Sequence, residues 1–587
     1  MKNTASGISW TVGGQQGEGI ESAGDSFATA LNHLGYYLYG HRHFSSRIKG
    51  GYTHYKIRVS QVPVGTVTDE TNILVAFDQE TIDHNVREMN QSGVILADAK
   101  FQPVFPKGPD KPELFVLPLT EIAASQGSPL MKNSIALGAS AALIGLTPDI
   151  FAGVLAATFR NKAANILENN QKALQAGFDF IREHGSHLVN AWPLPQPSRP
   201  GDRLFMLGNE AIALGALAAG AKFMAAYPIT PASEIMEYLI KKLPEFGGAV
   251  IQTEDEIAAC TMAIGANYAG ARAFTATSGP GLSLMQEAIG LAAMTETPLV
   301  VIDTQRGGPS TGLPTKNEQS DILAAIYGTH GDAPKIVLAP GTAAEAFADT
   351  VEAFNLADEY QCPVILLSDL QLSLCKQTLE PPDFDQVTIR RGQILTAPDL
   401  APLPPNVYFK RFEPTPTGIS ARTLPGTENG MHLVTGLEHD SMGKPSEAIA
   451  NRTAQMNKRL NKLRELPGQF PSPFYAQAPF DQPELLVIGT GGSRGAIEEA
   501  VAALHADGHR VNHIHLRLLH PLPEALLSPL LAAAARILVV EHNVSAQLAA
   551  LIRMQTGSGQ NIRSLLKYDG DILRPAQVYQ ACKEALS

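Results

Sequence analysis

The strongest constraint on the fold of this chain is the alternation of strand-like and helix-like runs between residues 204 and 376. Short apolar runs such as Lys222–Ala226 and Ala271–Thr277 have the length of buried strands, and each leads through a proline- or glycine-containing turn into a helical pattern. Such alternation predicts a doubly wound α/β domain with a parallel sheet. The predicted elements are helices Asn209–Ala219, Ser233–Leu243, Glu254–Gly265 and one after Gly281, and strands Lys222–Ala226, Ala249–Gln252, Ala271–Thr277, Leu299–Thr304 and Val364–Asp369.

The rest of the chain divides around this domain, and 587 residues are enough for about three or four domains. Residues 1–190 open with a predicted strand, Ile8–Val12, a glycine-rich turn and a helix, so we expect a parallel α/β domain. The other predicted segments are a linker with four prolines (191–203), a proline-rich connecting region with one charged helix near 454–466 (377–483) and a compact α/β domain (484–587). The predicted fold class is therefore α/β, with several doubly wound domains.

Composition excludes several kinds of partner. The net charge of −12 argues against nucleic acid or an anionic membrane, because both are bound by clustered lysine and arginine. No run reaches the roughly 18 apolar residues of a membrane span, and no signal or transit peptide is visible, so we expect a cytoplasmic protein. The four cysteines are far apart in sequence, which predicts neither a zinc nor an iron–sulfur site, and no metal ligand is expected in this chain.

A turn of unusual composition, Tyr227-Pro228-Ile229-Thr230-Pro231, joins a predicted strand to the next helix. We expect Thr230 at the N-cap and Pro231 at the first helical position, which would leave backbone N–H groups and a hydroxyl free to face an anion. The spacing fits a plain helix start as well as a ligand site. Open α/β sheets bind ligands where strands end, which favours the ligand site.

Three carboxylates crowd the start of a second, apolar helix. Glu254, Asp255 and Glu256 follow Thr253, and Thr253 with Glu256 has the spacing of a capping box. In that interpretation the glutamate only returns a hydrogen bond to the cap residue. The alternative is a buried Glu256 that hydrogen-bonds a heterocycle nitrogen.

Two further loops carry residues suited to a ligand. Residues 275–281, Thr-Ala-Thr-Ser-Gly-Pro-Gly, follow a strand and open a helix, and the glycines would let the backbone approach a ligand closely. Residues 305–316 are rich in turn formers and hydroxyl groups and contain Arg306, a residue type that fixes carboxylates through two parallel hydrogen bonds. By itself, each loop also fits an ordinary turn.

Together the four motifs resemble the alpha subunit of the 2-oxoacid:ferredoxin oxidoreductase family, especially the 2-oxoglutarate type with a gamma domain fused ahead of alpha. The resemblance includes the N-terminal glycine turn, residues 45–51 and Val540-Glu541-His542-Asn543, so it spans most of the chain. It implies a gamma-like domain at 1–190, a pyrimidine-binding domain of the thiamine diphosphate fold at 204–376 and a domain similar to the transketolase C-terminal domain at 484–587. We expect His542 to be a packing or polar-network residue without a catalytic role.

The resemblance also implies cofactors and partners. The pyrimidine ring of thiamine diphosphate would lie in this chain, and the diphosphate, Mg²⁺ and a 4Fe–4S cluster in a beta subunit. The sequence agrees, because it contains no Gly-Asp-Gly, and its single Asn-Asn, at Asn169-Asn170, lies in another region. Coenzyme A would be a co-substrate, ferredoxin the electron acceptor, and the assembly a dimer of alpha–beta heterodimers.

The roles implied for individual residues follow the matching motifs. Glu256, or alternatively Glu254, would hydrogen-bond the pyrimidine ring and drive ylid formation. The remaining implied contacts are Thr230, Arg306 and Thr315 for substrate carboxylates, Tyr227, Pro228, Ile229, Ser278 and Gly279 for the cofactor ring, and Gly14, Gln15, Gly17, Ser45 and Arg47 for coenzyme A.

The implied reaction is coenzyme-A-dependent oxidative decarboxylation of 2-oxoglutarate to succinyl-CoA with reduction of ferredoxin, or the reverse carboxylation of a reductive tricarboxylic acid cycle. Three alternatives stay open: pyruvate or a broad range of 2-oxoacids as substrate, a non-oxidative thiamine-dependent lyase or transferase, and a non-catalytic subunit that binds coenzyme A or a nucleotide.

Overall fold

Strands and helices alternate along most of the chain, as the sequence predicts. The computed structural model describes residues 7–44, 50–106, 108, 110–160, 163–197, 201–558 and 561–587. Its strands are β1 (Gly7–Gln15), β2 (Tyr37–His43), β3 (Tyr52–Ser60), β4 (Thr71–Ala76), β5 (Met89–Asp98), β6 (Glu113–Leu117), β7 (Leu204–Leu207), β8 (Phe223–Ala226), β9 (Ala249–Gln252), β10 (Ala273–Thr277), β11 (Leu299–Gln305), β12 (Ile336–Leu338), β13 (Pro363–Asp369), β14 (Lys376–Leu379), β15 (Phe474–Gln477), β16 (Leu485–Thr490), β17 (Val511–Leu516), β18 (Leu518–His520), β19 (Ile537–Glu541) and β20 (Ile562–Leu566).

The α-helices, joined in places by short 3-10 turns, are α1 (Ile20–Leu34), α2 (Gln79–Asn85), α3 (Leu119–Ser125), α4 (Lys132–Ile144), α5 (Ala152–Thr158), α6 (Ala164–His184), α7 (Gly208–Ala218), α8 (Ser233–Lys242), α9 (Glu256–Tyr268), α10 (Gly279–Met294), α11 (Ile322–Tyr327), α12 (Ala343–Tyr360), α13 (Leu370–Leu374), α14 (Ile449–Asn461), α15 (Leu466–Gln469), α16 (Arg494–Ala506), α17 (Glu524–Ala533), α18 (Gln547–Thr556) and α19 (Pro575–Leu586).

Internal contacts divide the chain into two compact units, of which the first contains residues 1–207, 374–381 and 574–576. Its strands form one sheet in the order β6-β5-β4-β1-β3-β2-β14-β7. The neighbours of β4 and β5 are parallel, whereas β3 is antiparallel to both β1 and β2. The expectation of a parallel sheet is wrong for β2 and β3, because only residues 44–51 separate them, too few for a crossover connection.

The second unit contains residues 208–373, 382–573 and 577–587 and is built on two sheets. The larger has the order β18-β12-β13-β11-β10-β8-β9 and is parallel except for β18. The smaller has the order β15-β17-β16-β19-β20 and is parallel except for β15. Parallel strands that alternate with helices confirm the predicted α/β class.

The two sheets of the second unit share one hydrophobic core. Buried side chains of β11 and β13, such as Val301 and Ile365, belong to the same cluster as Ile488 and Val539 from β16 and β19. Strand β18 comes from the C-terminal part of the chain but pairs with β12 in the larger sheet. The boundaries predicted for the individual domains stay predictions, since the contacts separate only two units.

The predicted elements are found with shifted ends. Strand β1 continues to Gln15, through glycines that the sequence assigns to a turn. The charged helix predicted near 454–466 is α14, which begins and ends earlier. Strand β12 was not predicted from the sequence, because its three residues are too short to show a period.

A buried carboxylate links α14 to the end of α10. Glu296 is fully buried, and its two carboxylate oxygens lie 2.5 Å from the Nζ atoms of Lys458 and Lys462. Arg411 donates to the Glu296 carbonyl at 2.7 Å. Burial is the largest single effect and raises the pKa of Glu296, but Lys462, Lys458 and Arg411 together outweigh it and lower this pKa, so the carboxylate is ionised. The connecting region is thus held to the larger sheet by charge as well as by packing.

All four cysteines are buried and outside any disulfide bond, and burial raises the pKa of Cys260 and Cys362 to about 12. Such thiols are poor nucleophiles, because the thiolate is the reactive form. Among the helices that the structure describes, none combines the length and the apolar character needed to cross a membrane.

Replacing Glu296 with glutamine should strongly destabilise the second unit. The substitution leaves two buried ammonium groups without a counter-charge, which costs about 3–5 kcal/mol. We expect a clearly lower thermal midpoint by calorimetry, whereas Glu245→Gln, which alters an exposed pair with Lys242, should leave it unchanged. Equal midpoints for the two variants would contradict the buried link.

Candidate functional site

The motifs singled out in the sequence meet at one edge of the larger sheet. Strands β8, β10 and β11 are parallel neighbours, so their carboxyl ends lie side by side. The segments that follow them are residues 227–232 after β8, Ser278 and Gly279 after β10, and Arg306 after β11. In open α/β sheets this edge is the usual ligand-binding position.

The turn after β8 differs from the predicted helix start. Helix α8 begins at Ser233 with Ala232 as its N-cap, so the prediction that Thr230 caps the helix and Pro231 opens it is wrong. The Ala232 N–H donates to the Ile229 carbonyl at 2.8 Å, and Asn209 donates to the Pro231 carbonyl at 2.6 Å. These bonds hold residues 229–232 in a separate turn, whose Thr230–Pro231 peptide bond is cis.

The exposed residues of this turn include Tyr227 and Thr230, while Pro228 and Ile229 are partly buried. The Thr230 carbonyl oxygen accepts a hydrogen bond from Nη1 of Arg306. This bond joins the first predicted motif to the fourth.

Glu256 does not take part in capping helix α9. Asp255 is the N-cap, and its side chain accepts a hydrogen bond from the Ala258 N–H at 2.7 Å. Thr253 instead donates to the Asp255 carbonyl at 2.8 Å, so the capping box of Thr253 and Glu256 is wrong. Glu256 is buried and Glu254 exposed.

Glu256 packs against the start of α10. A Cβ atom added to Gly281 would lie 2.7 Å from Cγ and 2.8 Å from Oε1 of Glu256, and 2.0 Å from Oγ1 of Thr277. Glycine is therefore required there for the carboxylate to reach the edge of the sheet. Both candidate glutamates belong to the second motif, and Glu256 is the one that packs against the third motif at Gly281.

The opening of α10 presents polar groups without internal partners. Ser278, the N-cap, is fully buried, yet its Oγ has no hydrogen-bond partner among the described residues. Next to it, a Cβ on Gly279 would lie 2.8 Å from Oδ2 of Asp321. A buried hydroxyl, a carboxylate and backbone exposed by glycine suit a polar heterocycle such as an aminopyrimidine.

The loop that carries Arg306 is closed on itself. The Leu313 N–H donates to the Gly307 carbonyl at 2.8 Å, and the Gly307 N–H to the Lys316 carbonyl at 3.0 Å. Gly312 has a φ of 50°, and a Cβ there would lie 2.3 Å from the Gly307 oxygen. The predicted substrate residue Thr315 is partly buried in this loop.

Arg306 is largely buried, with 8% of its surface exposed. Its Nε has no hydrogen-bond partner within the described part of the chain. Burial lowers the pKa of Arg306, and the nearby Asp321 carboxylate acts in the opposite direction. A buried guanidinium with an unused N–H is suited to a carboxylate ligand.

Side chains of the C-terminal region fix the segment that follows this loop. Asn317 contacts Nδ1 of His542 at 3.0 Å, and the Gln319 carbonyl accepts from Asn543 at 3.1 Å. Gln319 also donates to Asp369 at 2.7 Å. Burial lowers the pKa of His542 to about 4, so it is a neutral member of this polar network, as expected.

Two carboxyls in the site, one fully buried and one partly buried, were not predicted from the sequence. Asp303 is fully buried in β11, and Asp321 lies against Gly279. Asp303 could have been noticed, because it interrupts the apolar run Leu299–Ile302. Nothing in the sequence places Asp321 beside α10.

The residues predicted to contact coenzyme A belong to the first unit. Gly14 lies in β1 opposite Thr53, and Gln15 ends that strand. Gly17 is exposed in the next turn, with a φ of 101°. Ser45 and Arg47 lie outside the described residues.

Three family models together match most of the chain. One described as pyruvate flavodoxin/ferredoxin oxidoreductase, thiamine diphosphate-binding, matches residues 214–458. One described as pyruvate ferredoxin/flavodoxin oxidoreductase matches residues 9–180, and one described as pyruvate:ferredoxin oxidoreductase core domain II matches 483–578. The thiamine diphosphate-binding match contains all four motifs at the sheet edge.

Similar proteins cover between about two thirds and nearly all of the chain. The 2-oxoacid:ferredoxin oxidoreductase subunit alpha of Sulfolobus sp is 32% identical over 96% of this chain and 94% of its own length. The 2-oxoglutarate synthase subunit KorA of Methanothermobacter marburgensis is 38% identical over 64% of this chain and 97% of its own. The solved 2-oxoglutarate:ferredoxin oxidoreductase from Magnetococcus marinus, with 2-oxoglutarate, coenzyme A and succinyl-CoA bound, is 34% identical, with a TM-score of 0.92 and coverage of 99% of this chain and 100% of that one.

Substituting Gly281 with alanine should destabilise the protein by about 1–3 kcal/mol, because the methyl group would overlap Thr277 and Glu256. Gly290→Ala is the matched control in the same helix, since a Cβ there meets no atom within 4 Å. The control should be neutral or slightly stabilising. Thermal unfolding of both variants checks the prediction, and a Gly281→Ala protein as stable as the control would show that Glu256 does not pack on α10.

Proposed function

We propose that this chain, which belongs to the 2-oxoacid:ferredoxin oxidoreductase family, acts on 2-oxoglutarate as the alpha subunit with a fused gamma domain. The reaction is oxidation of 2-oxoglutarate with coenzyme A to succinyl-CoA and CO₂, with two electrons passed to ferredoxin, and it can run in reverse. The observation that carries the proposal is the buried Arg306, tied to the Thr230 carbonyl at the same sheet edge as Glu256.

Thiamine diphosphate, when bound, supplies the nucleophilic carbon and the electron sink of the reaction. The residues that would hold its pyrimidine side are Glu256, through a hydrogen bond to a ring nitrogen, and Ser278, through its unused hydroxyl. Gly279 and the turn at Tyr227, Pro228 and Ile229 would line the ring. Burial of Glu256 strengthens such a hydrogen bond, because water does not compete for it.

Arg306 would bind a substrate carboxylate through its unused Nε–H and a second guanidinium N–H. Thr230, on the adjoining turn, and Thr315, in the loop closed over Arg306, would add hydroxyl donors. The preference for 2-oxoglutarate over pyruvate is supported by the names of the KorA relative and of the Magnetococcus marinus structure. Activity measurements with 2-oxoglutarate and pyruvate in parallel test this preference.

A beta subunit would complete the active site. Helices α9 and α10, of which the first carries Glu256, expose three large apolar side chains, Ile257 at 49%, Met262 at 40% and Leu284 at 52%. We propose that the partner covers them, since contiguous exposed apolar surface marks interaction sites. The partner would bring the diphosphate and Mg²⁺ site and the 4Fe–4S cluster that passes electrons to ferredoxin, in a dimer of alpha–beta heterodimers.

Coenzyme A would be covered by the gamma domain. The end of β1, with Gly14 and Gln15, and the following turn at Gly17 are the parts of the first unit that we propose for this contact, together with Ser45 and Arg47. The exposed backbone at Gly17 would leave room for a phosphate or pantetheine group.

Glu256→Gln should lower the activity of the complex with its partner by roughly 10²–10⁴-fold, because glutamine cannot accept or hold the proton exchanged with the ring. Glu254→Gln is the control. Glu254 lies two residues before Glu256 and is exposed, so this variant should keep near-normal activity. Anaerobic dye reduction with 2-oxoglutarate and coenzyme A measures both. A larger loss in Glu254→Gln would assign the cofactor contact to that residue.

The function itself is tested by anaerobic, coenzyme-A-dependent dye reduction with this chain alone and copurified with its partner, using 2-oxoglutarate and pyruvate in parallel. We expect activity only in the complex, a higher kcat/KM for 2-oxoglutarate, and a loss of about 2–5 kcal/mol of transition-state binding in Arg306→Gln. The exposed Arg536→Gln serves as the control. A higher kcat/KM for pyruvate would contradict 2-oxoglutarate as the substrate. The absence of any 2-oxoacid-dependent reduction would contradict the proposed function.

A further inference from the structure

Two carboxyl groups lie beside the Arg306 site without a role in the proposed reaction. Asp303 is fully buried in β11, where it is paired with Thr277 of β10 and Leu367 of β13. Neither of its oxygens has a hydrogen-bond partner among the residues that the structure describes. A buried, ionised carboxylate without partners would be very costly, so Asp303 is protonated.

Asp321 lies near enough to both Asp303 and Arg306 to interact with them electrostatically. Its backbone N–H donates to Oε1 of Gln305 at 3.0 Å, which anchors it to the end of β11. Its carboxylate packs on Gly279 at the start of α10, and its hidden Oδ2 has no partner in the described ranges. The described part of the chain contains no ion pair within 4 Å between Asp321 and Arg306, and Nε of Arg306 has no hydrogen-bond partner there, so Arg306 can accept another anion.

The charged and titratable groups that act on Asp321 come from two neighbouring elements. Glu318 and Arg306 lie on the substrate loop and the segment after it, and Asp303 lies on β11. Helix α10 contacts the Asp321 carboxylate through the uncharged Gly279. Burial, and after it Glu318, raises the pKa of Asp321 to about 6, while Arg306 opposes this shift. Burial and then Asp321 raise the pKa of Asp303 well above its usual range.

We propose that Asp321 takes up a proton when the carboxylate of a 2-oxoacid binds to Arg306, so that substrate binding and protonation of Asp321 are coupled. The inference rests on the proposed function, because it assumes that Arg306 receives the substrate. It makes Asp321 a residue that sets affinity for anionic substrates according to pH.

The coupling follows from the number of charges. Arg306 carries one positive charge, and the incoming carboxylate is a second anion beside Asp321. Asp321 acts on Arg306 only through its charge, so a second carboxylate bound to Arg306 would repel an ionised Asp321, and a proton on Asp321 removes that repulsion. Asp303 cannot take up this proton, because it is already protonated.

The sign of the pH dependence is fixed by this linkage. Below about pH 6 Asp321 is already protonated in the free protein, and substrate binds with full affinity. As the pH rises above this value, binding must also protonate Asp321, so affinity falls by up to about tenfold per pH unit. The fall ends at the higher pKa that Asp321 has in the substrate complex.

The test measures protons directly. The complex with its partner is titrated with 2-oxoglutarate by isothermal calorimetry near neutral pH, in buffers that differ in ionisation enthalpy. The Glu256→Gln background keeps turnover from contributing heat. We expect uptake approaching one proton per site, no uptake after adding Asp321→Asn, and unchanged uptake after adding the control Asp332→Asn, which alters an exposed carboxyl.

Each outcome has a distinct meaning. Binding of 2-oxoglutarate without proton uptake, or uptake that persists in Asp321→Asn, overturns the inference and leaves the proposed function standing. The first of these results needs no variant at Asp321, so it does not depend on how that variant folds. Absence of 2-oxoglutarate binding to the complex overturns the proposed function and this inference with it. In the active complex, Asp321→Asn should also make KM independent of pH.

Discussion

The side chain of Gln319 connects the sheet edge that carries the site to the C-terminal part of the chain. It is fully buried, donates to Asp369 at 2.7 Å and to the Thr490 carbonyl at 3.0 Å, and accepts from the His542 N–H at 3.3 Å. Asp369 in turn accepts from the Gly492 N–H at 2.7 Å. A buried amide with its polar groups satisfied fixes geometry, because any displacement leaves several groups unpaired. The Arg306 loop and Asp321 flank this anchor, so the C-terminal region acts on the site through position.

The features that depend on local sequence pattern could be predicted from the sequence. Apolar runs bounded by glycine and proline gave most strands of the larger sheet, and the rule for open α/β sheets favoured a ligand site at the first motif. The capping predictions failed, since several residues at each helix start can cap and small differences choose among them. At α9 the neighbouring Asp255 took the role assigned to Thr253 and Glu256.

Long-range pairing could not be predicted from the sequence. The pairing of β1 with β3, the pairing of β18 with β12 in the larger sheet and the contact of His542 with Asn317 all join residues far apart in the chain. The same holds for Asp321, which is 42 residues from Gly279 yet packs on it. The positions of the site residues come from these tertiary contacts, whereas their chemical types could be recognised in the sequence.

The site combines a rigid polar base with an open side. Glu256 and Ser278 are buried, and Gly281 lets the two helix starts approach closely, whereas the adjoining faces of α9 and α10 expose Ile257 and Leu284. In the proposed enzyme, a partner surface would cover these side chains, each of which contributes about 1.5–3 kcal/mol when removed from water, and would complete the cofactor site. Assembly would then exclude water from the carboxylates and Arg306 and strengthen their electrostatic interactions with the substrate.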